Sequence, residues 1–206
     1  MNSRLETVLS AIDAANSLDP VWEPDIDGQE QPRALLYGRR MSLILDEFRR
    51  DAGDQLRIAA RAQHIERWSI PRTSYAEGRV SYLRWRKDLQ AHHARRTGEI
   101  MAAAGYGSSD IDRVATLLRK ERIKFDPDVQ TLEDVACLVF LRYEAPRFIT
   151  RHDDDKVRDI LAKTAVKMSP EGLGAAAAVP LDTRLARLLA EALEHARVTA
   201  KQLPAG

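Results

Sequence analysis

Apolar residues recur along this chain at spacings of three and four, the signature of α-helices that each bury one stripe. Leu5, Val8, Leu9, Ile12 and Ala15 keep that period over residues 3–16, and Ser3 with Glu6 three residues later matches a capping box at the helix start. Residues 17–31 interrupt it with Pro20, Pro24, Gly28 and several acids, which predicts a long loop. Pro32 suits the first turn of a second helix. There Leu35, Leu36, Arg39, Ser42, Leu43 and Asp46 mark one face and Tyr37, Met41, Ile44, Leu45 and Phe48 another, so this helix is expected between two neighbours.

The most informative stretch is 56–68, LRIAARAQHIERW. As a helix it places Leu56, Ala59, Ala60, Gln63 and His64 on one stripe, so a buried face ends in an amide and an imidazole. Ser69-Ile70-Pro71 then stops it, because the residue before proline is pushed out of helical dihedrals. A long helix is predicted over 80–104, ending at Gly105 as a C′ residue. Its spacing turns Tyr82, Trp85, Leu89, His93, Ile100 and Ala104 inward and His92 outward.

Ser108 and Ser109 are candidate caps for a helix carrying Ile111, Val114, Leu117 and Leu118 and closing in the basic tail 119–124. Thr131 starts a helix predicted over 132–142, whose VACLVFL run is apolar all round and so belongs at the centre of its domain. Helices over 154–168 and 183–200 complete the pattern. Alternation of strand type does not recur, and the class read from the chain is all-α. The expectation is one single-domain helical bundle over 1–206, with a core at about 3–172 and a C-terminal helix, about 182–200, packed on it.

Composition adds limits. With 32 basic and 31 acidic residues among 206, the net charge is +1, so no global field draws the protein to nucleic acid or to an anionic membrane. The N-terminus is charged where a signal peptide has an apolar segment, and no run of about 18 apolar residues occurs. Together with the single cysteine, Cys137, which excludes an intrachain disulfide, this reads as a cytoplasmic protein with no membrane partner. A homo-oligomer is compatible with all of this.

Chemistry, if present, gathers around two histidines. His64 beside Gln63 has the form of a metal ligand held by an amide, or of a core histidine satisfied by a backbone group. His93 adds a second inward imidazole. Asp134 starts the most apolar helix, either as a third ligand or as the acid of a Thr131 to Asp134 capping box; the two roles exclude each other. Glu133 and Glu66 are the candidate general bases. Lys120 and Lys124 form either a solvated basic helix end or, with Arg39, Arg40 and Arg61, a phosphate subsite.

The blocks YGRRMS (37–42), LRIAARAQHIERWSIPR (56–72), YLRWRKDLQAHHA (82–94) and LLRKERIKFDPDVQTLEDVACLVFL (117–141) resemble the family called domain of unknown function 4202, as does the segment 155–172. More distantly, AARAQHIERW, HHARRTGEIMAAAGY and LEDVACLVFL resemble helices of the HD superfamily of metal-dependent phosphohydrolases. That second resemblance implies an HD-domain-like bundle with a divalent cation on His64, His93 and Asp134. Ile65 stands where the superfamily pairs an aspartate with its histidine, and Tyr37 stands about where its first histidine falls. The resemblance implies hydrolysis of a small phosphorylated molecule, a nucleotide above all, through a metal-activated water. The alternative is a non-catalytic module of the same fold that binds a phosphorylated ligand or a protein partner.

Overall fold

The computed structural model describes residues 3–202, with side chains from 4 to 194. The capping box expected at Ser3 falls on a side chain outside that range. Among the described residues the chain is mostly helical, as its periodicity requires, with ten α-helices and one two-stranded ribbon. It divides into two compact units, Met1–Leu132 and Glu133–Gly206.

In the first unit α1 (Ser3–Asn16) buries Leu5, Val8, Ile12 and Ala15. The expected loop after it contains an antiparallel ribbon, β1 (Trp22–Pro24) against β2 (Glu30–Pro32). Strands of three residues are too short to show alternation. What closes the ribbon is turn chemistry: the Asp25 carboxylate accepts from the backbone N–H groups of Asp27 and Gln29, both at 2.9 Å, and Gly28 takes φ +78°. Asp19, buried at the ribbon's base, accepts from Val21 N and from Ala34 N in the first turn of α2 (Arg33–Phe48). That helix is preceded by Pro32, which has no side chain able to cap it, and Asp19 substitutes from a distance.

α2 buries Ala34, Leu35, Leu36, Gly38, Met41, Ile44 and Leu45, while Leu43 is exposed. It packs on α3 (Asp54–Arg61) and comes closest at Gly38, where a Cβ would lie 2.7 Å from the Arg61 carbonyl oxygen. α4 (Arg79–Ala103) is followed by Ala104 and then by Gly105 at φ +80°, the C′ residue expected. α4 packs along α5 (Ser108–Arg119). Gly107 occupies the cap position there, with no side-chain cap, so neither Ser108 nor Ser109 has the capping role expected of it.

α6 (Pro127–Val139) begins five residues before the predicted start. Asp126 accepts from Asp128 N and Val129 N, and Thr131 lies inside the helix with its hydroxyl donating to Pro127 O. The capping box drawn from Thr131 to Asp134 is therefore corrected: the true cap is an aspartate placed just before a proline at N1, a stronger start signal than the threonine.

In the second unit Val135, Leu138, Val139 and Leu141 are buried. The helix relaxes into a π-turn at Phe140–Glu144 before α7 (Ala145–Ile149). Pro146 explains the break, since its ring removes an N–H and clashes with the carbonyl four residues back. α8 (Asp154–Ala165) is capped by Asp153, whose carboxylate accepts from Lys156 N. α9 (Pro170–Ala177), not foreseen from periodicity, is signalled by Ser169-Pro170, with Ser169 Oγ accepting from Gly172 N at 3.0 Å. α10 (Thr183–Gln202) seats Leu185, Leu188, Leu189 and Leu193 and packs mainly on α8. No helix among the described residues is long and apolar enough to cross a membrane.

Candidate functional site

The helix read over 56–68 stops at Arg61. Residues 62–66 form successive turns, Glu66 takes a left-handed conformation at φ +49°, and a short 3-10 helix follows at Arg67–Ser69. Polar side chains from elsewhere hold the backbone groups this frees. Asn16, the last residue of α1, accepts from Glu66 N at 3.1 Å, and the Ile65 carbonyl accepts from Nδ1 of His93 on α4 at 2.8 Å. Ala62 and Ile65 are fully buried and anchor the turn from beneath. Asn16 was missed from sequence because its partner lies fifty positions away.

This turn presents His64. Its ring stacks on that of Tyr37 from α2, with centroids 3.9 Å apart and planes at 16°. His93 lies 6.2 Å away, centroid to centroid. The His64 side chain makes no hydrogen bond among the described residues, while its carbonyl accepts from Arg67 N at 3.2 Å. It keeps some solvent exposure, yet desolvation is the largest influence on it and drives its pKa well below the usual imidazole value. Arg67, His93, Lys120 and Arg33 push in the same direction. Three cations from separate segments thus bear on one neutral imidazole: Arg33 opens α2, Arg67 opens the 3-10 turn, and Lys120 ends α5 at φ +54°. Arg67 is set by Trp85, with its guanidinium carbon 4.8 Å from the indole centroid.

His93 is 3% exposed, and its pKa is lowered to about 3, chiefly by burial. A carbonyl can only accept, so Nδ1 carries the proton toward Ile65 and Nε2 is left as an acceptor. That Nε2 is buried without a partner, as is Oε1 of Gln63, itself 8% exposed. His92 is part-covered, its Nε2 3.5 Å from Glu66 and 3.4 Å from the Ser69 hydroxyl.

The remaining candidates are dispersed into structural duties. Glu66 accepts from Arg96 Nε at 2.9 Å. Arg61 forks onto both oxygens of Asp13, at 2.8 and 2.9 Å, and donates to Ser42 Oγ, which locks α3 to α1 and α2. Arg39 is exposed and reaches the same aspartate at 3.4 Å, Arg40 is half-buried, and Lys124 is exposed beyond α5.

In the second unit Glu133 is buried, and the buried Asp134 accepts from Ser169 N at 2.8 Å and from Ser169 Oγ at 2.6 Å. It fixes the residue that caps α9, and Gly172 lies so close that a Cβ there would be 2.6 Å from the carboxylate. No group of three His, Cys, Asp or Glu side chains among the described residues could hold a metal ion. Within the second unit both oxygens of Asp134 are engaged by Ser169, and no step is drawn through a metal.

The family described as Domain of unknown function (DUF4202) matches residues 6–189. The chain belongs to it. Within this DUF4202 chain the match takes in the Tyr37, His64 and His93 cluster and the Asp134 to Ser169 contact alike. No curated protein and no solved structure matches.

Proposed function

We propose that the first unit binds a phosphorylated small molecule, with the Tyr37 and His64 rings as platform and Arg67, Lys120 and Arg33 as the source of attraction. The stack of Tyr37 on His64, with centroids 3.9 Å apart, carries the reading, and Arg67, Lys120 and Arg33 all act on that ring, Arg33 while also paired with Glu23 at 2.6 Å. On a chain whose net charge is only +1, concentrating positive field around a neutral aromatic stack favours an anion with a flat or compact body. His64 adds no charge of its own and is held by stacking rather than by hydrogen bonds, so its ring nitrogens can meet a ligand. This keeps the binding alternative drawn from the sequence and places Arg61 in the scaffold rather than on the ligand.

The test is calorimetric titration of the purified protein with inorganic phosphate, adenosine monophosphate and simple sugar phosphates, repeated on Arg67→Ala and Lys120→Ala. Saturable binding that weakens roughly tenfold in each variant is expected, since one charge-assisted contact is worth about 1.4 kcal/mol or more. No binding to any of these, or binding indifferent to both variants, would remove the proposal. Release of inorganic phosphate from the esters would extend the site from binding to hydrolysis.

A further inference from the structure

The cations around His64 account for an anion, but not for two buried acceptors on neighbouring residues, His93 with its ring 6.2 Å away and Gln63 next to His64 in the chain. Nε2 of His93 and Oε1 of Gln63 are both more than nine-tenths buried and both lack a partner. A buried acceptor left unmatched costs about 1–3 kcal/mol, so native folds keep few of them, and each calls for an explanation. Nδ1 of His93 is tied to the Ile65 carbonyl, which fixes the ring and its tautomer and turns Nε2 away from that carbonyl. Gln63 stands in the same 62–66 turn that presents His64.

We propose that this site recognises, besides a phosphate, a neutral O–H or N–H donor on the same ligand, which Nε2 of His93 accepts with Gln63 Oε1 as the second acceptor. The inference rests on the phosphorylated-ligand reading above. Three alternatives for the donor fail on chemistry. A phosphate dianion has no proton to give, so the group that the cations attract cannot also satisfy Nε2. An ammonium would enter the field of Arg67, which bears on both His64 and His93. Protonating Nε2 so that it could itself donate to phosphate means charging a buried ring that faces the same arginine. What remains is a neutral donor: a hydroxyl or an uncharged amine, the groups that a polyol phosphate or a nucleotide base carries beside its phosphate, or a buried water that such a group would displace.

Two ligand pairs differing only in that donor test it: 2-hydroxypropyl phosphate against propyl phosphate, and adenosine monophosphate against its analogue lacking the amino group. The expected result is at least one pair in which the donor-bearing member binds about tenfold or more tightly. In a Gln63→Met variant, which leaves the His93 to Ile65 bond in place, that difference should shrink while affinity for the donorless member stays within about twofold. Should that variant fail to fold, nitrogen-15 spectra of the wild-type imidazoles serve instead, because the His93 Nε2 resonance shifts when its lone pair accepts a proton donor. A shift with the donor-bearing ligand and none with its partner supports the inference. Equal binding within both pairs, or discrimination that leaves Nε2 unmoved, overturns it and leaves phosphate binding intact. Absence of binding by all four overturns both.

Discussion

Gly38 shows how one missing atom positions the site. It sits in the second turn of α2, one residue after Tyr37, and its Cα faces the carbonyl of Arg61 at the point where α3 ends. A methyl group there would be 2.7 Å from that oxygen and 3.2 Å from the Arg61 side chain, which is pinned by Asp13. In an open helix Gly→Ala adds about 1 kcal/mol of stability through propensity. At Gly38 the neighbour is backbone and cannot turn aside, so the substitution should instead destabilise by about 1–3 kcal/mol. Gly174 in α9 has nothing within 4 Å of its notional Cβ, and Gly174→Ala should show the ordinary gain. Urea unfolding of the two variants gives opposite signs if the close approach is real. Gly38→Ala should also disturb the Tyr37 and His64 stack, visible as a change in the His64 ring resonances.

At the scale of an element, two helix boundaries decide what the candidate residues can do. α3 stops at Arg61, so Gln63 and His64 do not extend an apolar stripe; they ride on a turn held by Asn16 and His93. The sequence marks the segment through its unusual polar pair, but local spacing cannot show the stop, because the groups that replace the helical hydrogen bonds come from α1 and α4. α9 is the reverse case: Ser169-Pro170 is a local start signal, while its buried support, Asp134, lies 35 residues earlier. Removing that support should cost more than an exposed cap does. Asp134→Ala would strand Ser169 N–H and loosen the first turn of α9, at about 2–4 kcal/mol, whereas Asp134→Asn keeps one acceptor and should lose about half as much. Hydrogen exchange at Leu173, whose amide donates to Ser169 O, reports the loosening directly. An Asp134→Ala variant as stable as wild type would deny the carboxylate this role.

For the molecule as a whole, the depressed imidazoles couple stability to pH. The unfolded chain protonates His93 near its ordinary value of 6.5, and the native state does so only near 3. Between those values the unfolded state binds more protons, so stability falls on acidification, by up to about 1.4 kcal/mol per pH unit for each such histidine. His64 contributes with the same sign, and His92 more weakly, since Glu66 opposes its desolvation. Carboxylates whose pKa is lowered, such as Asp126 beneath Arg113, act further down, below 3.8. Urea midpoints should therefore drop between about pH 7 and 5, and His93→Gln should flatten the slope. A wild-type profile level across that range would contradict the burial of both rings.

The sequence by itself determined what depends on neighbours a few residues away. It set the helical class, the inward face of α4 with His93 on it, the Gly105 stop, the leucine stripe of α10 and family membership across residues 6–189. Each follows from a 3.6-residue period or from end chemistry that the chain carries locally. Tertiary structure decided the rest: that Arg61 belongs to Asp13, that Asp134 belongs to Ser169, that Tyr37 covers His64, and that Arg33, Arg67 and Lys120 act on one ring. Arg67 stands close to His64 in the chain, but the other pairings join distant residues, 35 positions apart for Asp134 and Ser169 and 48 for Arg61 and Asp13. Periodicity gives the direction in which a side chain leaves its own helix; only packing gives what it meets there.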